Sequence, residues 1–188
     1  MFFYIENIVL WLKSGKKRIL NFENNKINVI TGNSKTGKTA ILEIFDYCFC
    51  GSESNISDEK IGKNVMWYGM KFHINDKTYT IARGEYKNKN ELSKDYYFSS
   101  TGYVPELPTS TISEKELKNI IENEFSINSD VVFPFGGKQI KQGSKISFRY
   151  FLLFNILSGD IIAHSTDYFD KMHNIKYQEA LHRIFDLA

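Results

Sequence analysis

The sequence predicts an α/β fold, and three observations predict it. Ile27-Asn28-Val29-Ile30-Thr31 is a short β-branched run with the length and composition of a strand buried on both faces. A glycine-bracketed loop, Gly32-Asn33-Ser34-Lys35-Thr36-Gly37-Lys38-Thr39, follows it directly. Beyond Lys38 the residues Ala40, Ile41, Ile44, Phe45 and Cys48 recur at helical spacing until Gly51 ends the pattern. Strand, loop and helix in that order belong to a mainly parallel central sheet with flanking helices.

The remaining elements add an antiparallel β-layer and a helical second half. Residues 2–12, rich in aromatic and β-branched side chains, turn through Lys13-Ser14-Gly15-Lys16 into residues 18–22, which predicts a hairpin. A second turn follows at Glu23-Asn24-Asn25-Lys26. After the polar loop 51–62, residues 65–74 and 79–82 form a second predicted hairpin about Asn75-Asp76-Lys77. A charged connection, 85–94, leads to a predicted strand at 95–99. Ser113-Glu114-Lys115-Glu116 reads as a capping box for a helix with Leu117, Ile120, Ile121 and Phe125 on its apolar stripe. Gly136, Gly137 and Gly143 mark 126–145 as loop or short strand, 146–157 reads as a buried helix, and a last helical pattern starts at Tyr177 and reaches Ala188 without a cap. The expected organisation is one lobe over 1–188, β-rich over 1–110 and mainly helical over 111–188, with its C-terminal part continuing elsewhere.

Composition bounds the function classes. The 188 residues, 42% hydrophobic and 15% aromatic, supply the core of one ordinary domain. A formal net charge of +2 argues by itself for neither nucleic acid nor a membrane surface, so any basic contact must be local. Cys48 and Cys50 lie two apart, roughly 200° around a helix, and read as reduced core residues. The apolar N-terminus has no basic leader and no small-residue cleavage site, and no stretch reaches the roughly 18 to 20 apolar residues of a membrane span. Cytoplasmic localisation without a membrane partner is the expectation. His73, His164, His173 and His182 show no metal-ligand spacing.

The loop carries the chemistry. Its residues fit G-x-x-x-x-G-K-[ST], the Walker A pattern of P-loop NTPases, with a predicted strand before it and a helix after it. Glycines let successive backbone N–H groups turn inward on phosphates, beside the positive end of the helix. Lys38 is placed to reach the β- and γ-phosphates, and the Thr39 hydroxyl to ligate Mg²⁺, so ATP with Mg²⁺ is the expected ligand. Hydrolysis needs in addition an acid at a strand end and a group that orients water. The nearest candidate, Ile184-Phe185-Asp186, reads more simply as part of an amphipathic helix. The isolated chain is therefore expected to bind nucleotide and turn it over poorly, which leaves its standing as an enzyme open.

The first hairpin, INVITGNSKTGKTAILEIFDYCFCG and a second hairpin ending in Tyr79-Thr80-Ile81-Ala82-Arg83 resemble the N-terminal lobe of ABC-type ATPase heads of the SMC, RecN and RecF kind. ITGNSKTGKTAILEIFDYCF, VMWYGMKF and FRYFLLFNILSGDII are similar to a bacterial family of such ATPases linked to DNA repair or anti-phage defence. The resemblance implies a second ATPase head as partner, two ATP molecules sandwiched between heads, and DNA or an effector protein as the coupled load. It also implies a Q-loop glutamine, for which Gln139, Gln142 and Asn155 are the candidates. Arg83, at a strand end where such heads carry a basic residue, and the loop lysines Lys138, Lys141 and Lys145 are candidates for contact to DNA or phosphate. A solvated lysine loop is the plainer account of the last three. Leu157-Ser158-Gly159-Asp160 starts like a signature motif but reads better as a helix end. The favoured function is the ATP/Mg-binding half of an SMC-like head; the alternatives are a small stand-alone P-loop kinase and a non-hydrolysing nucleotide-dependent interaction module.

Overall fold

The computed structural model describes the chain apart from residues 1, 34–36, 58, 60, 89–90, 128–129, 151–167, 170 and 185–188. The chain divides into two compact units, Met1–Asn119 and Ile120–Ala188.

The first unit is built on a five-stranded sheet of order β2-β1-β3-β4-β5. Its strands are β1 (Phe3–Leu12), β2 (Lys17–Asn21), β3 (Val65–Ile74), β4 (Lys77–Gly84) and β5 (Tyr96–Ser99). Both predicted hairpins are present, and the second closes tightly because Asn75 adopts φ 51°, a conformation asparagine tolerates. Every described pairing is antiparallel. The mainly parallel sheet expected from the sequence is thus corrected.

Residues 27–31 carry the reason. They form no strand, and Ile27 is 93% and Val29 76% exposed. A strand buried on both faces needs neighbours, and none of the five described strands pairs with 27–31, so its β-branched composition finds no sheet to enter.

The two faces of the sheet differ. One receives the helix α1 (Ala40–Cys48), whose Ile44, Phe45, Tyr47 and Cys48 are buried. Phe49 closes this layer, with its ring 5.5 Å from Phe72 and 4.9 Å from Phe45. On the other face Val9, Trp11, Ala82 and Tyr97 form a second cluster, and the Trp11 indole donates to the Pro105 carbonyl at 3.1 Å. That bond satisfies the one polar atom of a fully buried indole. Further along β1 the face turns polar. Lys71 and His73 donate to Glu6 at 2.8 and 2.7 Å, and Tyr4 stacks on His73. Burial pushes the Glu6 carboxyl upward, but these two donors outweigh it and hold the group below the ordinary carboxylate range.

Helix α2 (Glu114–Glu124) starts at the predicted capping box, with the Glu116 N–H donating to the Ser113 hydroxyl at 3.3 Å and the Ser113 N–H to the Glu116 carboxylate at 3.0 Å. In the second unit, helix α3 (Ile175–Ile184) covers the predicted C-terminal pattern within its described part. Its Ala180 and Ile184 pack with Phe133, Ile140, Ile146 and Tyr150. Most of the predicted helix at 146–157 lies outside the described residues, as do Phe185 and Asp186. Cys48 and Cys50 are buried and form no disulfide, in keeping with the reading of reduced core thiols, and burial raises the Cys50 thiol to about 11.

Candidate nucleotide-binding site

Ser34, Lys35 and Thr36 lie outside the described residues; the remainder of the loop shows how it is closed. Gly37 has φ +90°, a backbone conformation that would strain any L side chain, so glycine is required at this bend. Immediately after it the Lys38 ammonium folds back and donates to the carbonyls of Gly32 and Asn33, each at 2.7 Å. The two ends of the loop are thereby tied through one cation. Thr39 is the N-cap of α1, and its side chain makes no cap hydrogen bond. A lysine charge and a threonine hydroxyl thus flank the start of a helix, where the aligned peptide dipoles add partial positive charge. These residues fit a polyphosphate with Mg²⁺: the ammonium complements phosphate oxygens, and a hydroxyl not used for capping suits a hard cation that takes oxygen ligands.

The helix behind the loop is fixed at its other end by Arg83. This side chain is 3% exposed. Its Nη1 donates to the Tyr47 carbonyl at 3.1 Å and the Gly51 carbonyl at 2.8 Å, and its Nε to the Ser93 carbonyl at 3.0 Å. The guanidinium lies 4.5 Å from the centre of the Tyr47 ring and 4.9 Å from that of Tyr96, with the Glu114 carboxylate at 4.0 Å. Carbonyls at a helix C-terminus have no partner within the helix, and here a planar fork of donors supplies them. The Tyr47 hydroxyl donates in turn to the Gly84 carbonyl at 2.7 Å. The candidate DNA or phosphate contact through Arg83 is corrected accordingly, because a guanidinium enclosed by two rings and three carbonyls presents no face to a ligand in this conformation.

The other candidate residues belong to the second unit. Lys145 pairs with the buried Glu122 at 2.6 Å, whereas Lys138 and Lys141 are exposed. The Gln142 side-chain amide donates to the Pro134 carbonyl at 3.0 Å. Asn155 and the segment Leu157-Ser158-Gly159-Asp160 lie outside the described residues. Sequence reasoning missed Glu179, whose carboxylate accepts from the backbone amides of Lys138, Gln139 and Ile140. A glycine pair followed by three residues is the only local signal, and it does not name the acid. Among the described residues no three His, Cys, Asp or Glu side chains are grouped to hold a metal, and no helix is long and apolar enough to cross a membrane.

An α/β chain whose glycine-lysine loop opens a helix has the attributes of a P-loop nucleotide-binding protein. A family model described as an AAA domain matches residues 3–187, and the chain belongs to that family of P-loop ATPases. The membership makes nucleotide binding, with ATP and Mg²⁺ as the family's ligands, the function class of the domain. No curated protein matches the sequence.

Proposed function

We propose that this chain is the ATP- and Mg²⁺-binding half of an SMC-like ATPase head, coupled in the cytoplasm to DNA or to a partner effector. The observation that carries the reading is the Lys38 ammonium held between the two ends of the loop at the start of α1. In this reading the amides of Gly32, Asn33, Ser34, Lys35, Thr36 and Gly37 wrap the phosphates, Lys38 binds their outer oxygens and Thr39 holds Mg²⁺. Bound Mg²⁺ would supply charge neutralisation on the phosphates.

The exposure of Ile27, Val29 and Ile30 supports a partner. Three consecutive-region β-branched side chains left in water are costly unless another β-element covers them. A second head, or another lobe of the same protein, would supply that element together with the acid and signature motif required for turnover. Gln142 and Asn155 are the proposed water-orienting candidates, and Lys138 and Lys141 the proposed contacts to a nucleic-acid backbone. A role in DNA repair or anti-phage defence fits such an engine.

The test is a calorimetric titration of the chain with MgATP. Lys38→Ala should weaken binding by about 100-fold, the worth of two charge-assisted hydrogen bonds, with an unfolding midpoint close to that of the parent. Unchanged affinity in the variant would remove Lys38 from the site and the reading with it.

A further inference from the structure

The second unit contains a glycine-lysine loop that nucleotide binding leaves unused. The Gly137 N–H donates to the Ile140 carbonyl at 2.7 Å and closes a turn. The next three amides, of Lys138, Gln139 and Ile140, converge on the Glu179 carboxylate of α3. Gln139 and Ile140 donate to one oxygen at 3.1 and 2.9 Å, and Lys138 donates to the other. Successive amides of a turn aimed at one point make a concave anion site. Gly137 is a condition of that site, since a Cβ there would lie 2.4 Å from the carboxylate carbon and from one of its oxygens.

The surroundings carry more positive charge than Glu179 neutralises. Arg183 approaches the same carboxylate at 4.0 Å, donates to the Gly136 carbonyl at 2.8 Å and packs over the Phe135 ring at 4.9 Å. Lys138 and Lys141 flank the turn and are exposed. Three amides and one guanidinium thus meet a single-charge acid with two oxygens, and two exposed lysines lie in the adjoining chain. A tetrahedral oxyanion offers the same donors more acceptor oxygens and, as a monoester, more charge.

We propose that the loop 136–140 is a phosphate-binding site and that Glu179 is its built-in competitor, so that a phosphate group taking the three amides releases α3 from the loop. The ligand chemistry is phosphate, either as a free or monoester dianion or as the diester of a nucleic-acid strand. The site is independent of the Walker-type loop, and its failure would leave the nucleotide reading untouched. Competition has a consequence for affinity: the apparent constant in the parent is weakened by the fraction of molecules in which Glu179 holds the loop.

The experiment follows the amide resonances of Lys138, Gln139 and Ile140 in the intact chain. One arm adds inorganic phosphate, a second adds a short oligonucleotide without terminal phosphates, and a third adds chloride at matched ionic strength. In the parent the three amides should shift at high phosphate, and in Glu179→Ala the midpoint should fall by about tenfold or more. Gly137→Ala should abolish the response. Shifts with the oligonucleotide assign the site to diesters, whereas shifts with inorganic phosphate alone assign it to dianions. Equal shifts with chloride, or none in Glu179→Ala while the rest of its spectrum stays dispersed, overturn the proposal. Should Glu179→Ala lose its dispersed spectrum, Glu179→Gln keeps the side-chain shape, and amides unmoved by phosphate in both that variant and the parent overturn it equally.

Discussion

Two glycine-lysine loops in this chain are closed by opposite charges. In the first unit the Lys38 ammonium takes the carbonyls of Gly32 and Asn33, so the group that fills the curl is a donor and an arriving polyphosphate meets a cation already in place. In the second unit the Glu179 carboxylate takes the amides of Lys138, Gln139 and Ile140, so the filler is an acceptor and an arriving anion must displace it. Both loops place a lysine directly after a glycine, Gly37-Lys38 and Gly137-Lys138. Whether the closing side chain comes from the loop itself or from a helix about 40 residues away decides which loop is ready and which is latched.

The supports behind the loops differ as well, and the largest expected effect lies there. The helix that follows the first loop is held at its far end by Arg83. Arg83→Ala leaves the carbonyls of Tyr47, Gly51 and Ser93 without their donor and opens a gap between two aromatic rings. A loss of about 3–5 kcal/mol is expected, read from the urea midpoint of unfolding. Arg83→Lys should recover only part of it, because an ammonium lacks the planar fork that reaches several carbonyls and stacks between rings. A loss below about 1 kcal/mol, the range of surface residues, would show that α1 is anchored by its apolar face alone.

The second contrast is one of pH. Hydrogen bonds from the Ile140 amide, followed by those of Gln139 and Lys138, and the nearby Arg183 hold the Glu179 carboxyl below the ordinary carboxylate range. A group whose folded pKa is depressed contributes stability that is fully present above its unfolded pKa and is lost as pH falls through the folded one. The protection of the 138–140 amides, taken relative to the intrinsic exchange rate at each pH, should therefore be high at neutral pH and fall below the usual carboxylate range. The first loop is closed without a carboxylate, by the contacts of Lys38 to the carbonyls of Gly32 and Asn33. Protection at 138–140 that is flat with acid would detach the loop from Glu179.

These contrasts also mark what the sequence makes legible. The hairpins are legible because their strands are rich in aromatic and β-branched residues and their turns carry Gly15 and Asn75, and the helix α2 because Ser113 and Glu116 complete their contact within three residues. The glycine loop is legible because its bend and its lysine are adjacent in the chain. Arg83 was open to a better reading: Tyr79, Ile81 and Arg83 alternate along β4, so the arginine shares a face with two buried side chains and must point inward. The strand at 27–31 misled because β-branched composition specifies a conformation but not the neighbours it needs. Glu179 was beyond local reasoning, as its partners are about 40 residues away and are backbone amides that any sequence would supply.

The smallest expected effect tests whether distance in the chain matters to a carboxylate on an amide. Glu116 accepts the Ser113 N–H three residues away, whereas Glu179 makes the same kind of contact across 39 to 41 residues. Ser113→Ala removes the hydroxyl that completes the exchange with the Glu116 N–H at 3.3 Å, and should cost about 1 kcal/mol. The loss should be confined to faster amide exchange in the first turn of α2, with exchange at 138–140 unchanged. A local cap closes little chain and can be lost alone, whereas a long-range latch closes a large loop and opens with the packing around it. If Ser113→Ala also accelerates exchange at 138–140, the two contacts belong to one cooperative element, and the contrast between a local and a distant acid has to be given up.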